Sequence, residues 1–206
     1  CGSDEAVLPK LLSVFNATAL GVCEGQQFDM DFESRDDVTV GEYLQMIELK
    51  TAVLLAGALK MGALCGGAGD DRADLLYRFG IAVGLAFQLQ DDLLDTYGDA
   101  AVFGKPIGGD ILAGKKTFLL TTALETADEA GRTRLLELLH DGTAEPAAKI
   151  DAVRAMYDAL SVREATEKAI AAYFDEAERT LHGLKLPDER TQPLREWAHK
   201  LLNRNR

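Results

Sequence analysis

The chain has 206 residues, 47% of them hydrophobic, which is enough for one domain with a substantial core. Its 34 Asp and Glu residues outnumber 22 Lys and Arg residues, and the net charge of -12 argues against nucleic acid or an anionic membrane surface as the main partner. Three cysteines without C-x-x-C spacing are typical of reduced thiols in a cytoplasmic protein, and charged residues interrupt the most apolar stretches, which argues against a membrane span.

The first predicted helix covers residues 5–29, where apolar residues recur at every third or fourth position. Near its end, Gln26 and Asp29 continue the same stripe, so the core-facing side of the helix turns polar. Two interpretations fit this pattern. The helix end either frays into solvent or contributes polar groups to an internal cavity.

A second helix is predicted over residues 40–64, and Thr39 followed by Glu42 forms its capping signal. Lys50 and Thr51 interrupt its apolar face at mid-length. A lysine in this place commonly extends along the surface to reach water. The alternative is that Lys50 points into a cavity lined by carboxylates.

A glycine-rich break at residues 62–69 precedes a central helix predicted over residues 70–95. Four polar side chains share one stripe of its last turns: Gln88, Asp91, Asp92 and Asp95. Like charges at this spacing repel, and the negative end of the helix dipole disfavours them further. A bound Mg²⁺ would explain the cluster, because carboxylate oxygens suit this ion. A solvated acidic helix end is the simpler alternative.

The following loop is rich in glycine and lysine. Residues 104–110 have the sequence GKPIGGD, in which Asp110 is placed to cap a new helix, and Lys115 and Lys116 follow closely. Carboxylates that hold a metal, next to lysines and backbone N–H groups that hold phosphate oxygens, have the chemistry to bind a Mg²⁺–diphosphate.

The rest of the chain is predicted to be helical as well. The pattern gives a short helix over residues 116–126 and another over 131–140, then a long helix over 145–182 and a last one over 192–202. The two-residue alternation of strands is not found, so the sequence predicts an all-α protein.

The segment FQLQDDLLD, followed by GKPIGGDILAGKKT, resembles the second aspartate-rich motif and the next loop of the trans-isoprenyl diphosphate synthases, or polyprenyl synthetases. Residues 25–29 (GQQFD) and the pair Lys50-Thr51 match further family positions, and the similarity extends over nearly the whole chain. The resemblance implies an isoprenoid-synthase-type helical bundle around a central cavity. Residues 1–206 would then be a single all-helical domain that forms the C-terminal two-thirds of this bundle.

This resemblance also implies an activity in isoprenoid biosynthesis. Family members are Mg²⁺-dependent transferases that condense an allylic diphosphate with isopentenyl diphosphate and release pyrophosphate, commonly as homodimers. The catalytic residues implied here are Lys50, Asp91, Asp95 and Lys115. The implied metal ligands are Asp91 and Asp95, with Asp92 assisting. The implied substrate-binding residues are Gln26, Asp29, Thr51, Phe87, Gln88, Lys105 and Asp110.

One departure from the family pattern concerns the N-terminal part. Family members have an earlier aspartate-rich motif, and residues 1–37 contain no D-D-x-x-D order. We therefore expect that the sequence, which begins at Cys1 without a methionine, is a piece of a longer product. We also expect that the 206-residue chain alone is inactive or nearly so.

Three alternatives remain open. A terpene cyclase shares the fold, but its downstream N-S-E-type metal triad is not found in the sequence. A non-catalytic subunit of a heteromeric synthase would have no evident need for the second aspartate-rich motif. The E-x-x-H pairs at Glu137/His140 and Glu196/His199 resemble a di-iron signature, although they are better explained as surface residues.

Overall fold

The computed structural model describes residues 7–99 and 107–202, and every regular element in these ranges is helical. The predicted all-α class is therefore confirmed. The α-helices of these ranges are α1 (Leu8–Phe32), α2 (Val40–Ile47), α3 (Val53–Cys65), α4 (Asp70–Tyr97), α5 (Gly109–Leu112), α6 (Phe118–Thr126), α7 (Glu129–His140), α8 (Pro146–Ala159), α9 (Val162–Gly183) and α10 (Asp188–Leu202).

Helices α2 and α3 form one run, as the sequence predicts for residues 40–64, but a π-helical segment joins them over Glu48–Ala52. The run begins as expected. Thr39 accepts a hydrogen bond from the Glu42 backbone N–H, and the Glu42 side chain accepts one from the Thr39 backbone N–H. This reciprocal capping box satisfies two backbone donors at the helix start.

Helix α4 is the centre of the structure and packs most extensively against α9 and α3. Small residues permit this close approach. A Cβ atom on Gly80 would lie 2.5 Å from the Ala56 Cα atom, and a Cβ on Gly84 would lie 2.5 Å from the Ala52 Cα atom. The backbone of α4 therefore lies directly against the backbone of α3 and of the π-helical segment.

Two predicted boundaries in the C-terminal part are wrong. The single helix predicted over residues 145–182 is two helices, because the chain turns at Leu160 and Ser161, and Ser161 has a φ of 54°. Helix α10 begins at Asp188, four residues earlier than predicted, and includes Pro193. Apolar periodicity continues past residue 160, so it does not reveal the turn there. Residues 188–192 contain no apolar side chain, so the same pattern does not show that α10 begins at Asp188.

Three clusters of buried apolar side chains form the core, and α4 contributes to all of them through Leu93, Leu89 and Phe79. Of the helices in residues 7–99 and 107–202, none combines the length and apolar character needed to cross a membrane. Cys23 and Cys65 are exposed free thiols.

Candidate active site

The first polar contact of the site joins α1 to the π-helical segment. The Lys50 Nζ atom donates a hydrogen bond to the Asp29 Oδ2 atom over 2.6 Å, and both side chains are partly buried. Next to it, the Thr51 hydroxyl donates to the Gln88 Oε1 atom of α4 over 3.2 Å. Two consecutive residues thus reach two different helices, and π-helical turns often occur at functional sites.

Backbone packing fixes the π-helical segment between α1 and α4. A Cβ atom on Gly25 of α1 would lie 2.8 Å from the Leu49 carbonyl carbon and would overlap the backbone nitrogen of Lys50. On the opposite side, Gly84 of α4 contacts Ala52. The position of Lys50 therefore depends on two glycines that permit backbone-to-backbone contact.

The second polar contact joins the end of α4 to the glycine-rich loop. The Asp95 carboxylate accepts a hydrogen bond from the Asp110 backbone N–H over 2.9 Å, and the Asp110 carboxylate lies 3.3 Å from the Lys115 Nζ atom. Asp110 is not the helix cap that the sequence predicts. Gly108, with a φ of 82°, is the residue before α5, and Asp110 lies in its first turn. Only a residue that tolerates the left-handed region turns the chain in this way, which places the Asp110 N–H on Asp95.

Asp92 lies deeper than its two neighbours in the motif. Its side chain is buried, and its Oδ2 atom accepts hydrogen bonds from the Tyr43 hydroxyl and from the Phe118 backbone N–H, the latter over 3.2 Å. The Oδ1 atom accepts from the Gln88 Nε2 atom over 3.2 Å. Burial raises the pKa of Asp92 to about 6, although the hydrogen bond from Tyr43 opposes this shift. Protein donors therefore surround this carboxylate on both oxygens.

The remaining charges of the site influence one another. Burial raises the pKa of the Asp95 carboxyl, and the hydrogen bond from Asp110 partly offsets this. At Lys115, partial desolvation lowers the pKa of the ammonium group, but the carboxylates of Asp110 and Asp92 outweigh it and raise that pKa overall. Lys115 is therefore charged at neutral pH and placed beside the aspartates.

A cavity of about 400 Å³ opens between the end of α1 and the loop before α6. It is lined by Asp29, Phe32, Glu33, Ala113, Gly114, Lys115 and Lys116. The two consecutive lysines differ. Lys115 is exposed, whereas the Lys116 ammonium is largely buried, where it donates to the Gly114 carbonyl over 3.3 Å and lies 3.5 Å from Asp36. Lys115 is therefore the more accessible of the two lysines.

Comparison with known proteins decides the family. The polyprenyl synthetase family model matches residues 4–157. The chain belongs to the polyprenyl synthetase family. It is 38% identical to a short chain isoprenyl diphosphate synthase of Methanothermobacter thermautotrophicus over 186 residues, which are 90% of this chain and 55% of that protein. A geranylgeranyl diphosphate synthase of Methanosarcina mazei is also 38% identical, over 88% of this chain and 54% of its own.

Solved structures show the same fold. A geranylgeranyl pyrophosphate synthase matches with a TM-score of 0.90 and 40% identity, over 98% of this chain and 63% of that one. The corresponding protein of Pyrococcus horikoshii matches with a TM-score of 0.89 and 26% identity, over 98% of this chain and 61% of its own. The chain thus has the isoprenoid-synthase-type bundle and spans about half the length of the curated relatives it matches.

Other predicted site residues of this chain lie nearby or outside the described ranges. Asp91 and Phe87 are partly buried on α4. Gln26 is exposed on α1, and the structure records no hydrogen bond from it to the other described site residues. Lys105 lies outside the described residues.

The histidine pairs of the alternative di-iron interpretation are on exposed helix faces. His140 lies at the end of α7 with its Nε2 atom 3.4 Å from Asp36, and the His199 ring packs on Phe174 with the centroids 4.7 Å apart. Among residues 7–99 and 107–202, no three His, Cys, Asp or Glu side chains form a ready metal site. Asp91 and Asp95 lie one turn apart on α4, and the Lys115 charge acts on Asp95. Such carboxylate oxygens fit Mg²⁺ that is shared with a diphosphate, since this ion commonly takes one or two carboxylates plus phosphate oxygens.

Tyr43 is the site residue that sequence reasoning missed. Its aromatic ring fits the apolar face of α2, and its hydroxyl is not visible in a hydrophobic pattern. The available signal is spacing: Tyr43 precedes Lys50 by seven residues, about two helical turns, and therefore lies on the same side of the run.

Proposed function

We propose that this polyprenyl synthetase condenses an allylic diphosphate with isopentenyl diphosphate, with Mg²⁺ as cofactor, and releases pyrophosphate. The observation that carries the proposal is the pairing of Asp95 with Asp110 and Lys115 on one side of the site and of Lys50 with Asp29 on the other. Family membership and the names of the relatives, which are isoprenyl and geranylgeranyl diphosphate synthases, support the same substrates.

Each residue has a defined task in this mechanism. Asp91 and Asp95 would hold Mg²⁺, which when bound offsets negative charge on the leaving diphosphate. The ammonium groups of Lys50 and Lys115 donate hydrogen bonds to diphosphate oxygens, and the motif assigns the same task to Lys105. Asp29 and Asp110 hold these two lysines in place before substrate arrives. Such preorganised donors stabilise charge where it develops during the reaction.

The covalent changes follow from this arrangement. The allylic C–O bond breaks, and its electron pair leaves with the diphosphate. The isopentenyl double bond then supplies the electrons of the new C–C bond, and loss of a proton from the neighbouring carbon restores a double bond. Thr51 and Gln88, joined by their hydrogen bond, line the polar side of the site, and Phe87 borders the isopentenyl group.

Calorimetry with inorganic pyrophosphate tests the diphosphate site directly. We expect binding that requires Mg²⁺ and that Lys115→Ala weakens at least about tenfold, through loss of a charge-assisted hydrogen bond. Lys200→Ala, an exposed lysine of α10, is the control. Absence of Mg²⁺-dependent binding by the unmodified chain would contradict the proposal.

A product assay with both diphosphates separates the alternatives. A longer prenyl diphosphate supports elongation. Cyclic hydrocarbon without elongation would indicate a terpene cyclase. Pyrophosphate binding without turnover by the complete protein would indicate a non-catalytic subunit, because the 206-residue chain alone is already expected to be inactive.

We further propose that the protein acts as a homodimer in the cytoplasm. Helix α1 supports the first point, because Leu8, Leu12 and Phe15 lie on one stripe outside its packed face and are each more than half exposed (54%, 53% and 57%). The exposed free thiols of Cys23 and Cys65 support a reducing compartment. Light scattering should give a dimer mass, and Phe15→Glu should shift it to the monomer.

A further inference from the structure

The Tyr43 hydroxyl contacts the aspartate-rich motif from a different helix. Tyr43 and Asp92 are each only 1% exposed, and the hydroxyl donates to the Asp92 Oδ2 atom. The same oxygen accepts the backbone N–H of Phe118, the first residue of α6. One carboxylate oxygen of α4 thus connects α2 to the start of α6.

The start of α6 determines where Lys115 lies. Phe118 follows Lys115 by three residues, and the Thr117 backbone N–H donates to the Lys115 carbonyl over 2.9 Å. On its other side, the Lys115 backbone N–H donates to the Asp110 carbonyl over 3.0 Å. Gly114, with a φ of 62°, lies immediately before Lys115 and offers little conformational restraint. The hydrogen bond at Phe118 is therefore a major restraint on this short loop.

Asp92 is also held from its other side. The Gln88 amide donates to its Oδ1 atom and accepts the hydroxyl of Thr51, next to Lys50. Hydrogen bonds therefore connect Tyr43 through Asp92 to the loop that carries Lys115. Through Gln88 and Thr51 they also connect Asp92 to the π-helical segment. Both diphosphate-directed lysines are thus connected to one buried carboxylate.

We propose that Tyr43 is a positioning residue for diphosphate binding: by holding Asp92 against the backbone of Phe118, it places Lys115 beside Asp95 and Asp110. Asp92 then joins Tyr43 to the loop that carries Lys115, while Asp91 and Asp95 remain the side chains directed at the metal. The effect on ligand affinity rests on the proposed function, in which Lys115 binds the diphosphate. The effect on the loop itself does not.

Hydrogen exchange of the ligand-free protein tests the structural part. Tyr43→Phe removes the donor and retains the ring, so we expect the amides of residues 115–118 to exchange at least about tenfold faster, after correction for global stability. Tyr157→Phe is the matched control, since Tyr157 is 2% exposed and is packed in a different core cluster. Equal exchange in the two variants would overturn the inference, whatever the protein binds.

Calorimetry with Mg²⁺ and inorganic pyrophosphate tests the consequence for binding. We expect Tyr43→Phe to weaken pyrophosphate about fivefold to tenfold and Tyr157→Phe to change it less than about twofold. Asp92→Asn removes the other partner. In the double variant the two substitutions should be strongly non-additive, because both break the same link.

Asp91→Asn distinguishes the loss of a metal ligand from the loss of the Tyr43–Asp92 hydrogen bond, because it should abolish the Mg²⁺-dependent tight binding of pyrophosphate. Additive effects of Tyr43→Phe and Asp92→Asn would show that Tyr43 acts independently of Asp92 and would overturn the inference. If the unmodified chain binds no pyrophosphate, the proposed function fails, while the exchange experiment still decides whether Tyr43 restrains the loop.

Discussion

The two lysines that we propose bind diphosphate are placed by opposite means. Lys50 belongs to a helical run that is fixed by direct backbone contact with Gly25 on one side and Gly84 on the other. Lys115 belongs to a short loop between α5 and α6 whose position depends on hydrogen bonds to carboxylates. Steric packing tolerates almost no added volume, whereas a polar network tolerates volume and fails when a donor or acceptor is removed.

The largest expected effect comes from removing a charged side chain of the site, either Lys50 or Asp91. Lys50→Ala and Asp91→Ala should each reduce turnover by the complete protein at least about 100-fold, since each removes a group that we propose acts on the leaving diphosphate. Neither side chain is deeply buried, so the unfolding midpoint in urea should change little. Asp71→Ala, at the opposite end of α4, is the control. Turnover within threefold of the unmodified enzyme would remove the substituted residue from the site.

Added volume on the Lys50 side is the next test. Gly25→Ala should lower the free energy of unfolding by about 3 kcal/mol, because its methyl group would meet the backbone of Leu49 and Lys50. Gly21→Ala is the matched control one turn earlier on α1, where a Cβ would lie 3.4 Å from the Val53 Cγ2 atom, at van der Waals distance. Urea denaturation of the two variants compares them, and equal stabilities would contradict the account of how Lys50 is placed.

Replacing glycine by alanine near Lys115 should lower the free energy of unfolding by less than Gly25→Ala does. Gly108 and Gly114 both have positive φ angles, 82° and 62°, so alanine at either position costs about 1 kcal/mol of backbone strain. Gly108→Ala would in addition meet the Ile150 side chain, with its Cδ1 atom at 2.6 Å, while a Cβ on Gly114 has nothing within 4 Å. We expect Gly108→Ala to destabilise the protein by about 2 kcal/mol and Gly114→Ala by about 1 kcal/mol. A loss at Gly108 larger than that at Gly25 would reverse the comparison.

Sequence motifs predict which residues line the site but not how they are held. The order of Gln88, Asp91, Asp95, Asp110 and Lys115 is a local property of one segment, and the structure brings Asp95, Asp110 and Lys115 together. The π-helical segment is different, since it forms where two other helices press on the run that carries Lys50. Helix propensity of the segment itself contains no information about these neighbours.

The link from Tyr43 to Asp92 could not be predicted for a related reason. A tyrosine on an apolar stripe is predicted to be core, and this is correct for the ring, which packs with Met46 and Leu89. Whether its hydroxyl meets a carboxylate depends on a contact across 49 residues of sequence. The left-handed backbone of Ser161, between α8 and α9, could not be predicted for the same reason, because it depends on tertiary packing.

The smallest expected effect concerns pH and the start of α2, which carries Tyr43. Hydrogen bonds from the Thr39 backbone N–H and from Arg35 hold the pKa of Glu42 below its usual value of 4.5. Because the folded-state pKa is the lower one, the stabilisation is present above the unfolded value and is lost as the pH falls through the folded pKa. Glu42→Gln cannot titrate, so its unfolding free energy should depend less on pH below about 4.5 than that of the unmodified protein.

Urea denaturation of both proteins between pH 3 and pH 7 measures this difference. The two curves should converge as the pH falls. Parallel curves for the unmodified protein and Glu42→Gln would show that the capping box does not hold α2. In that case the position of Tyr43 would depend on core packing and on its hydrogen bond to Asp92.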